Sequence, residues 1–367
     1  MTLYGKGYYI WQIPKCDGGV PGAIAARAKA AGLTHVLIKI ADGVDWVYNY
    51  NQQTKTDLVP PVMAALRQVG ISVWGWHYVR GDDPVGEARL AINRVLNLGV
   101  DGYAIDAEGE YRTTTKREAA RKFMKELRAG LPHMPIALSS YRFPRIHTPF
   151  PFAEFLERCD INMPQVYFEG GHNPEQQLER CLEQYAAIHP VRPMIPTAPT
   201  YTSSTWRPTP DEITRFFAKA RQLGFTAANA WSYDWAHRTA YRELWDAVAA
   251  FSWPAEPPPA ELPDRLVALW NKGDVEGLSG LYRDNAAHVT GARTVIGLEP
   301  IKDWYRTVLK EMLPGSRFEL TGKNGAGNSR RFTWKASGPR GTVLDGHDTL
   351  GLNQGRIQYH YTYFTVR

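Results

Sequence analysis

One unit repeats along the first two thirds of the chain: an amphipathic helix, a glycine near its C-terminus, then a short apolar run ending in polar or aromatic residues. Residues 25–31 with Gly32 lead into Thr34-His-Val-Leu-Ile-Lys-Ile, and residues 62–69 with Gly70 lead into Ile71-Ser-Val-Trp-Gly-Trp-His. Residues 87–98 with Gly99 precede Gly102-Tyr-Ala-Ile-Asp, and residues 117–129 with Gly130 precede Pro135-Ile-Ala-Leu-Ser-Ser-Tyr. Residues 175–188 precede Pro193-Met-Ile-Pro-Thr, and residues 211–223 with Gly224 precede Ala227-Ala-Asn-Ala-Trp-Ser-Tyr. A glycine at such a junction supplies the left-handed residue on which many helices end. Gly7-Tyr-Tyr-Ile-Trp-Gln-Ile and Asp160-Ile-Asn-Met-Pro-Gln-Val-Tyr bring the strands to eight. Eight strands alternating with helices over about 250 residues predict an α/β fold, a (β/α)₈ TIM barrel. A doubly wound sheet is the competing architecture. The barrel is preferred because nearly every strand ends in polar or aromatic residues, as expected where eight C-terminal ends share one site.

The repeat accounts for residues 1–250 of a 367-residue chain, too long for one core. Phe251-Ser-Trp-Pro-Ala-Glu-Pro-Pro-Pro-Ala-Glu-Leu is proline-rich and reads as a semi-rigid linker over residues 251–262. Beyond it, residues 263–367 show helical patterns at 264–272, 275–283 and 300–312, then strand-like runs at 317–320, 331–337, 342–352 and 356–366. That order predicts a smaller α+β domain.

Composition narrows the function classes. The net charge of +6 is spread without a dense basic block, so no nucleic-acid partner is expected, and no segment approaches a membrane span. The start, Met1-Thr-Leu-Tyr-Gly-Lys6, lacks a charged then apolar leader, so a cytoplasmic location is the expectation as written unless export follows another route. Cys16, Cys159 and Cys181 are too few and too scattered for a disulfide framework or a CxxC metal site. No metal and no cofactor is expected, because metal-ligand spacings, phosphate-cradling Gly-rich loops and nucleophile elbows are all lacking. The 12 Trp and 19 Tyr exceed what two cores need and suit sugar rings, which stack on π faces.

The chemistry is expected on the fourth strand. Strand alternation in Val100-Asp-Gly-Tyr-Ala-Ile-Asp-Ala-Glu puts Gly102, Ala104, Asp106 and Glu108 on one face, with Tyr103, Ile105 and Ala107 toward the helices. The two acids therefore enter the barrel mouth above small residues. Adjacent carboxylates raise each other's cost of ionisation, so one stays protonated and can serve as general acid. Cleavage of a glycosidic bond needs such an acid. Lys39, Asp42, His77, Tyr78, Tyr141, Gln165, Tyr167, Tyr201, Trp231, Tyr233 and Asp234 are the candidate substrate-binding residues around them. A structural salt bridge of the acids, for instance with Lys39, is the plain alternative, and His77 suits a hydrogen-bonded core position.

The run Asp101-Gly-Tyr-Ala-Ile-Asp-Ala-Glu108 resembles the strand-four signature of family 18 chitinases, and Met163-Pro-Gln-Val-Tyr167 and Trp231-Ser-Tyr-Asp234 resemble that family's sixth and eighth strands. The resemblance implies that Asp106 positions the substrate's own N-acetyl group as nucleophile while Glu108 is the acid. Ala104 stands where those enzymes carry an aspartate. Val36-Leu-Ile-Lys-Ile-Ala-Asp-Gly43, Gly75-Trp-His-Tyr78, Ile105-Asp-Ala-Glu108 and Trp231-Ser-Tyr233 are similar to family 25 lysozyme-type muramidases over more of the barrel. The aspartate near the start of their first strand is missing from Gly7-Tyr-Tyr-Ile-Trp-Gln12. The implied substrate is a β-linked, N-acetylated glycan, peptidoglycan or chitin-like.

Residues 262–367 resemble SnoaL-like members of the nuclear transport factor 2-like fold. The resemblance is carried by Leu269-Trp-Asn-Lys-Gly-Asp-Val-Glu-Gly-Leu-Ser-Gly-Leu-Tyr282, His288-Val, Gly297-Leu-Glu-Pro-Ile301, Phe332-Thr-Trp334, Gly346-His-Asp348 and Gly355-Arg-Ile357. It implies a cone of curved sheet with a pocket that His347, Asp348, Tyr359 and Tyr361 would line, and a domain through which the chain forms a homodimer. Two alternatives to a hydrolase stay open: a barrel that binds glycans without cutting them, and an activity or ligand in the cone.

Overall fold

The computed structural model describes residues 3–253, 261–325, 328–353 and 355–367. The chain divides into two compact units, Met1–Glu256 and Pro257–Arg367. Most of the proline-rich stretch, residues 254–260, lies outside the described residues.

The first unit is a closed barrel of eight parallel strands: β1 (Gly5–Ile10), β2 (His35–Asp42), β3 (Ser72–Val79), β4 (Gly102–Ala107), β5 (Ile136–Tyr141), β6 (Ile161–Gln165), β7 (Thr197–Pro199) and β8 (Ala227–Trp231). Each pairs with the next in chain order, and β1 closes the ring by pairing with both β2 and β8. Period-2 alternation sorts the side chains into two cores. Tyr9, Leu37, Trp74, Trp76, Ala104, Ala137 and Met163 fill the barrel interior, while Val36, Ile38, Val73, Tyr103, Ile105 and Leu138 pack outward with the helices. Glycine matters at two places. A Cβ on Gly102 would stand 2.2 Å from the Trp74 ring, so Gly102 lets that indole fill the barrel below the acids. Gly99 ends the helix Pro84–Leu98 in the left-handed conformation, as the repeat predicts, whereas Gly130 lies inside the helix Lys116–Gly130 and is small because Ile92 crosses it.

The seventh strand differs from the expectation of 193–197. Only Thr197–Pro199 is strand, and Met194 makes an isolated bridge to Asn162. Pro193 and Pro196 lack the N–H groups a continuous ladder needs.

The second unit packs the helices Leu262–Lys272, Val275–Ser279 and Leu298–Thr307 with six strands: β9 (Tyr282–Thr290), β10 (Thr294–Ile296), β11 (Arg317–Asn324), β12 (Ser329–Gly338), β13 (Gly341–Asn353) and β14 (Arg356–Tyr363). The sheet order is β10-β9-β14-β13-β12-β11, antiparallel except for the β9–β14 pair. The expected helices-then-strands order is corrected here: β9 and β10 fall between helices, and the helical pattern expected at 275–283 stops at Ser279. The run Asp284-Asn-Ala-Ala lacks β-branched residues, and the pairing of β9 with β14, interrupted after Tyr282, resumes only at Ala287. The fold is thus a TIM-like barrel followed by a smaller α+β unit.

Candidate functional site

At the C-terminal mouth of the barrel, a cleft of about 400 Å³ is lined by Tyr9, Asp106, Glu108, Ser139, Tyr141, Arg142, Ile146, His147, Gln165, Tyr167 and Trp231. Its centre is the acid pair. Asp106 is the inward residue near the end of β4, and Glu108 follows on the same side where the strand ends. The carboxamide of Gln165, from β6 across the mouth, donates through Nε2 to Asp106 Oδ1 at 2.9 Å and to Glu108 Oε1 at 2.9 Å. One nitrogen therefore holds both acids, and the two accepting oxygens lie within twice that distance of each other. Burial, and then the Glu108 charge, raise the Asp106 carboxyl well above the usual carboxylate range. Burial also raises Glu108, against the opposing pull of the Gln165 hydrogen bond. Two acids so placed release their last proton at higher pH than an isolated carboxyl does.

Aromatic rings floor the cleft. Trp231, whose peptide bond to Ser232 is cis, packs at 5.3 Å from Trp76, 5.6 Å from Tyr9 and 6.5 Å from Trp11. Tyr9 stands on the first strand, and its hydroxyl contacts Met163 Sδ at 3.6 Å. Tyr167 meets Tyr201 edge-on at 5.5 Å, and the Tyr201 hydroxyl donates to Glu169 at 3.1 Å. On the β2–β3 side, Lys39 pairs with Asp42 at 2.7 Å, not with the acid pair, and lies over the Tyr48 and Trp76 rings. Arg80 takes the other Asp42 oxygen at 2.6 Å, and the Tyr78 hydroxyl donates to Glu110 at 2.6 Å.

Three expected barrel residues lie elsewhere. His77 is fully buried on the outer face of β3, between the Tyr103 hydroxyl at 3.0 Å and the Gly43 carbonyl at 2.7 Å. Tyr233 packs in the outer core against Trp245, and its hydroxyl donates to Asp17 at 2.7 Å. Asp234 is buried and accepts from the Trp11 backbone N–H at 3.0 Å, which ties the segment after β8 to the end of β1. Conversely, Tyr9, Ser139, Arg142, Ile146 and His147 line the cleft although nothing in the strand pattern singled them out. Four lie on β5 or the segment behind it, and the available signal was Tyr141-Arg-Phe-Pro-Arg-Ile-His147, two cations and a histidine with no acid among them.

In the second unit, only one of the four expected pocket residues points inward. Asp348 is buried, accepting from Trp334 Nε1, from Thr362 Oγ1 at 2.6 Å and meeting His360 Nε2. His347 sits outside beside Asp345 at 2.8 Å, and Tyr359 and Tyr361 are exposed on the outer sheet face. The residues that join Asp348 inside were missed: His360, Tyr282, Tyr305 and His288, with Tyr282 bonded to Tyr305 at 2.6 Å and His288 to Thr362 at 3.0 Å. The cavity beside them holds about 20 Å³. Among the described residues there is no group of three or more potential metal ligands, and no helix long and apolar enough to cross a membrane.

Residues 264–360 match the family model of the SnoaL-like domain. No curated protein matches this chain. Among solved structures, a SnoaL-like family protein from Agrobacterium tumefaciens is 25% identical, with a TM-score of 0.25, over 28% of this chain and 93% of that one. An NTF2-like protein from Burkholderia xenovorans is 16% identical with a TM-score of 0.26, over 29% and 80%. One from Cytophaga hutchinsonii is 13% identical with a TM-score of 0.24, over 28% and 84%. The barrel, with its acid pair, is followed by a SnoaL-like domain.

Proposed function

We propose that the barrel is a glycoside hydrolase acting on a β-linked, N-acetylated glycan, with Glu108 as acid/base and Asp106 as the residue that orients the substrate's acetamido group. The observation that carries this reading is the acid pair held by Gln165 inside an aromatic-floored cleft at the C-terminal mouth of a closed barrel. That face is where barrels of this type do their chemistry. An inverting pair stands roughly 6.5–9.5 Å apart to admit a water. Two acids sharing one carboxamide nitrogen are too close for that, which fits retention.

Glu108 gives its proton to the glycosidic oxygen as the bond from that oxygen to the anomeric carbon breaks. The acetamido carbonyl oxygen, aligned by Asp106, forms the new bond to the anomeric carbon. Water then opens the cyclic intermediate and returns a proton to Glu108.

Glu108→Gln keeps the shape and the Gln165 contact but cannot donate a proton, so turnover of an N-acetylglucosamine oligomer is expected to fall by roughly 10²–10⁴-fold. Product release by chromatography measures it, and wild-type rates in that variant remove Glu108 from the mechanism. A barrel that only grips glycans gives binding without product in the unaltered chain. The reading that places ligand or activity in the second unit has the buried Asp348–His360–Tyr282 chain in its favour, and a cavity of about 20 Å³ against it.

A further inference from the structure

We propose that the glycan taken by the barrel is acidic and that Arg142, with His147 beside it, forms the subsite for its carboxylate. The glycan part rests on the hydrolase reading; the charge rests on separate observations. Both side chains line the same cleft as Glu108. Arg142 follows β5 directly, and its guanidinium lies 5.0 Å over the Phe143 ring. It makes no ion pair among the described residues, and its Nη1 is shut off from solvent with no hydrogen-bond partner. Other part-buried arginines of the barrel are matched: Arg94 by Asp57 at 2.6 Å, Arg27 by Asp17 at 2.7 Å. A part-buried cation left without a counter-charge costs stability unless a ligand supplies the partner.

His147 repeats the pattern. Its ring stacks on Tyr141 at 3.9 Å, and its Nδ1 is buried without a hydrogen bond. Burial, then Arg112 and Arg142, hold its pKa below the ordinary value, so it meets a ligand as a neutral imidazole. Arg112 lies 5.7 Å over the same Tyr141 ring. Glu169 attracts Arg142 through its charge without pairing with it, and accepts a hydrogen bond from the Tyr201 hydroxyl. One wall of the cleft therefore carries the Arg142 guanidinium, and the centre holds the acid pair. A planar guanidinium offers two parallel N–H groups, which match a carboxylate in a way a lone ammonium does not. A neutral glycan of N-acetylglucosamine alone leaves both groups empty. A sugar carboxylate fills them, whether from a uronic acid or from a lactyl ether on an N-acetylated sugar.

The test uses the full chain carrying Glu108→Gln, so that probes stay intact, and calorimetric titration with three tetrasaccharides. One is neutral, built from N-acetylglucosamine; one alternates it with glucuronate; one alternates it with its 3-O-lactyl ether. At least one acidic tetramer is expected to bind ~10-fold or more tightly than the neutral one at low salt, with the advantage shrinking as salt rises. The acidic tetramer that wins identifies the source of the carboxylate. Adding Arg142→Gln should reduce the acidic-to-neutral ratio to within ~3-fold, Arg142→Lys should keep part of it, and Arg145→Gln, whose side chain pairs with Glu183 outside this cleft, should leave it intact. Equal binding of all three tetramers, or a ratio that survives Arg142→Gln, overturns the proposal. Acidic binding through Arg142 without turnover in the unaltered chain upholds it and sinks the hydrolase reading, whereas no binding of any tetramer sinks both.

Discussion

The barrel mouth and the interior of the C-terminal sheet each bury a carboxylate among aromatic rings, and they differ in what is left around it. Asp348 has both oxygens engaged, by Trp334, Thr362 and His360, and its neighbours close to about 20 Å³, room for about one water. Asp106 shares Gln165 with Glu108, is repelled by that acid, and opens on about 400 Å³. A buried acid whose partners are complete is what a stable core looks like. An acid raised by burial and by a like charge beside open space is what proton transfer requires. The two acids thus differ in how fully each is satisfied and not in how deeply each is buried.

The comparison breaks first if Asp348 proves dispensable. In Asp348→Asn, an NH₂ replaces one accepting oxygen and meets a donor, Trp334 Nε1 or Thr362 Oγ1, so about 3 kcal/mol of stability should be lost. For a unit of this size that lowers its melting temperature by roughly 12–20 °C. Calorimetry on the full chain should show one transition moving while turnover, assayed below it, stays unchanged. A loss of turnover without a loss of stability would move the chemistry into the second unit.

Asp106→Asn sharpens the other side. Turnover should fall by roughly 10²-fold, because the acetamido group loses its orienting acid while the proton donor remains. The pH–rate profile carries the sign. Asp106 and Glu108 lie above their ordinary values, so the last proton leaves the pair late and the alkaline limb of the unaltered chain lies above the usual Glu range. Burial and then the Glu108 charge hold the Asp106 carboxyl well above its ordinary range, so once Asp106 is gone only Glu108 is left to titrate and that limb should move to lower pH. An alkaline limb that stays in place would show that the two acids do not titrate as a pair.

Much of this was legible because the helix–glycine–strand rhythm and the two-residue alternation of β4 are properties of short segments. Gly102, Ala104, Asp106 and Glu108 fall on one face by period alone. The same alternation, applied strictly, separates His77 from Tyr78 and His347 from Asp348, since neighbours on a strand face opposite ways. Tyr359 and Tyr361 escaped even that rule. Counting in twos from the buried Ile357 turns both inward, but Ile357 pairs with Leu352 and Tyr359 with Gly351, so an extra residue, Gln358, bulges and flips the strand. His360 and Thr362 go inside instead. Such a bulge is set by the partner strand and leaves no trace in local periodicity. Arg142 and His147 were hidden for a different reason, because they sit on an irregular segment where no period applies.

That bulge gives the smallest effect expected and the last test of the comparison. It places Tyr359, Tyr361 and Tyr363 in a row on the outer face of β14, exposed by 43%, 37% and 53%, with Leu344 on β13 63% exposed. A stripe of large rings on an open sheet face is a surface that a second copy can cover, and a two-fold pairing lays the stripe against itself. The barrel mouth also shows aromatic rings, but they stand among charged side chains and line a concave cleft, which suits a small ligand better than a flat partner. Self-association is therefore expected through the second unit. Light scattering on the full chain across a concentration series should show a dimer, and replacing Tyr361 with Ser should weaken it by ~10-fold, about 1.4 kcal/mol. Glu108→Gln, at the other site, should leave the dimer constant where it was. A chain that stays monomeric at high concentration would show that these tyrosines face solvent alone, and a dimer weakened by Trp46→Ser, whose exposed ring lies beside the barrel mouth, would assign the association surface to the barrel.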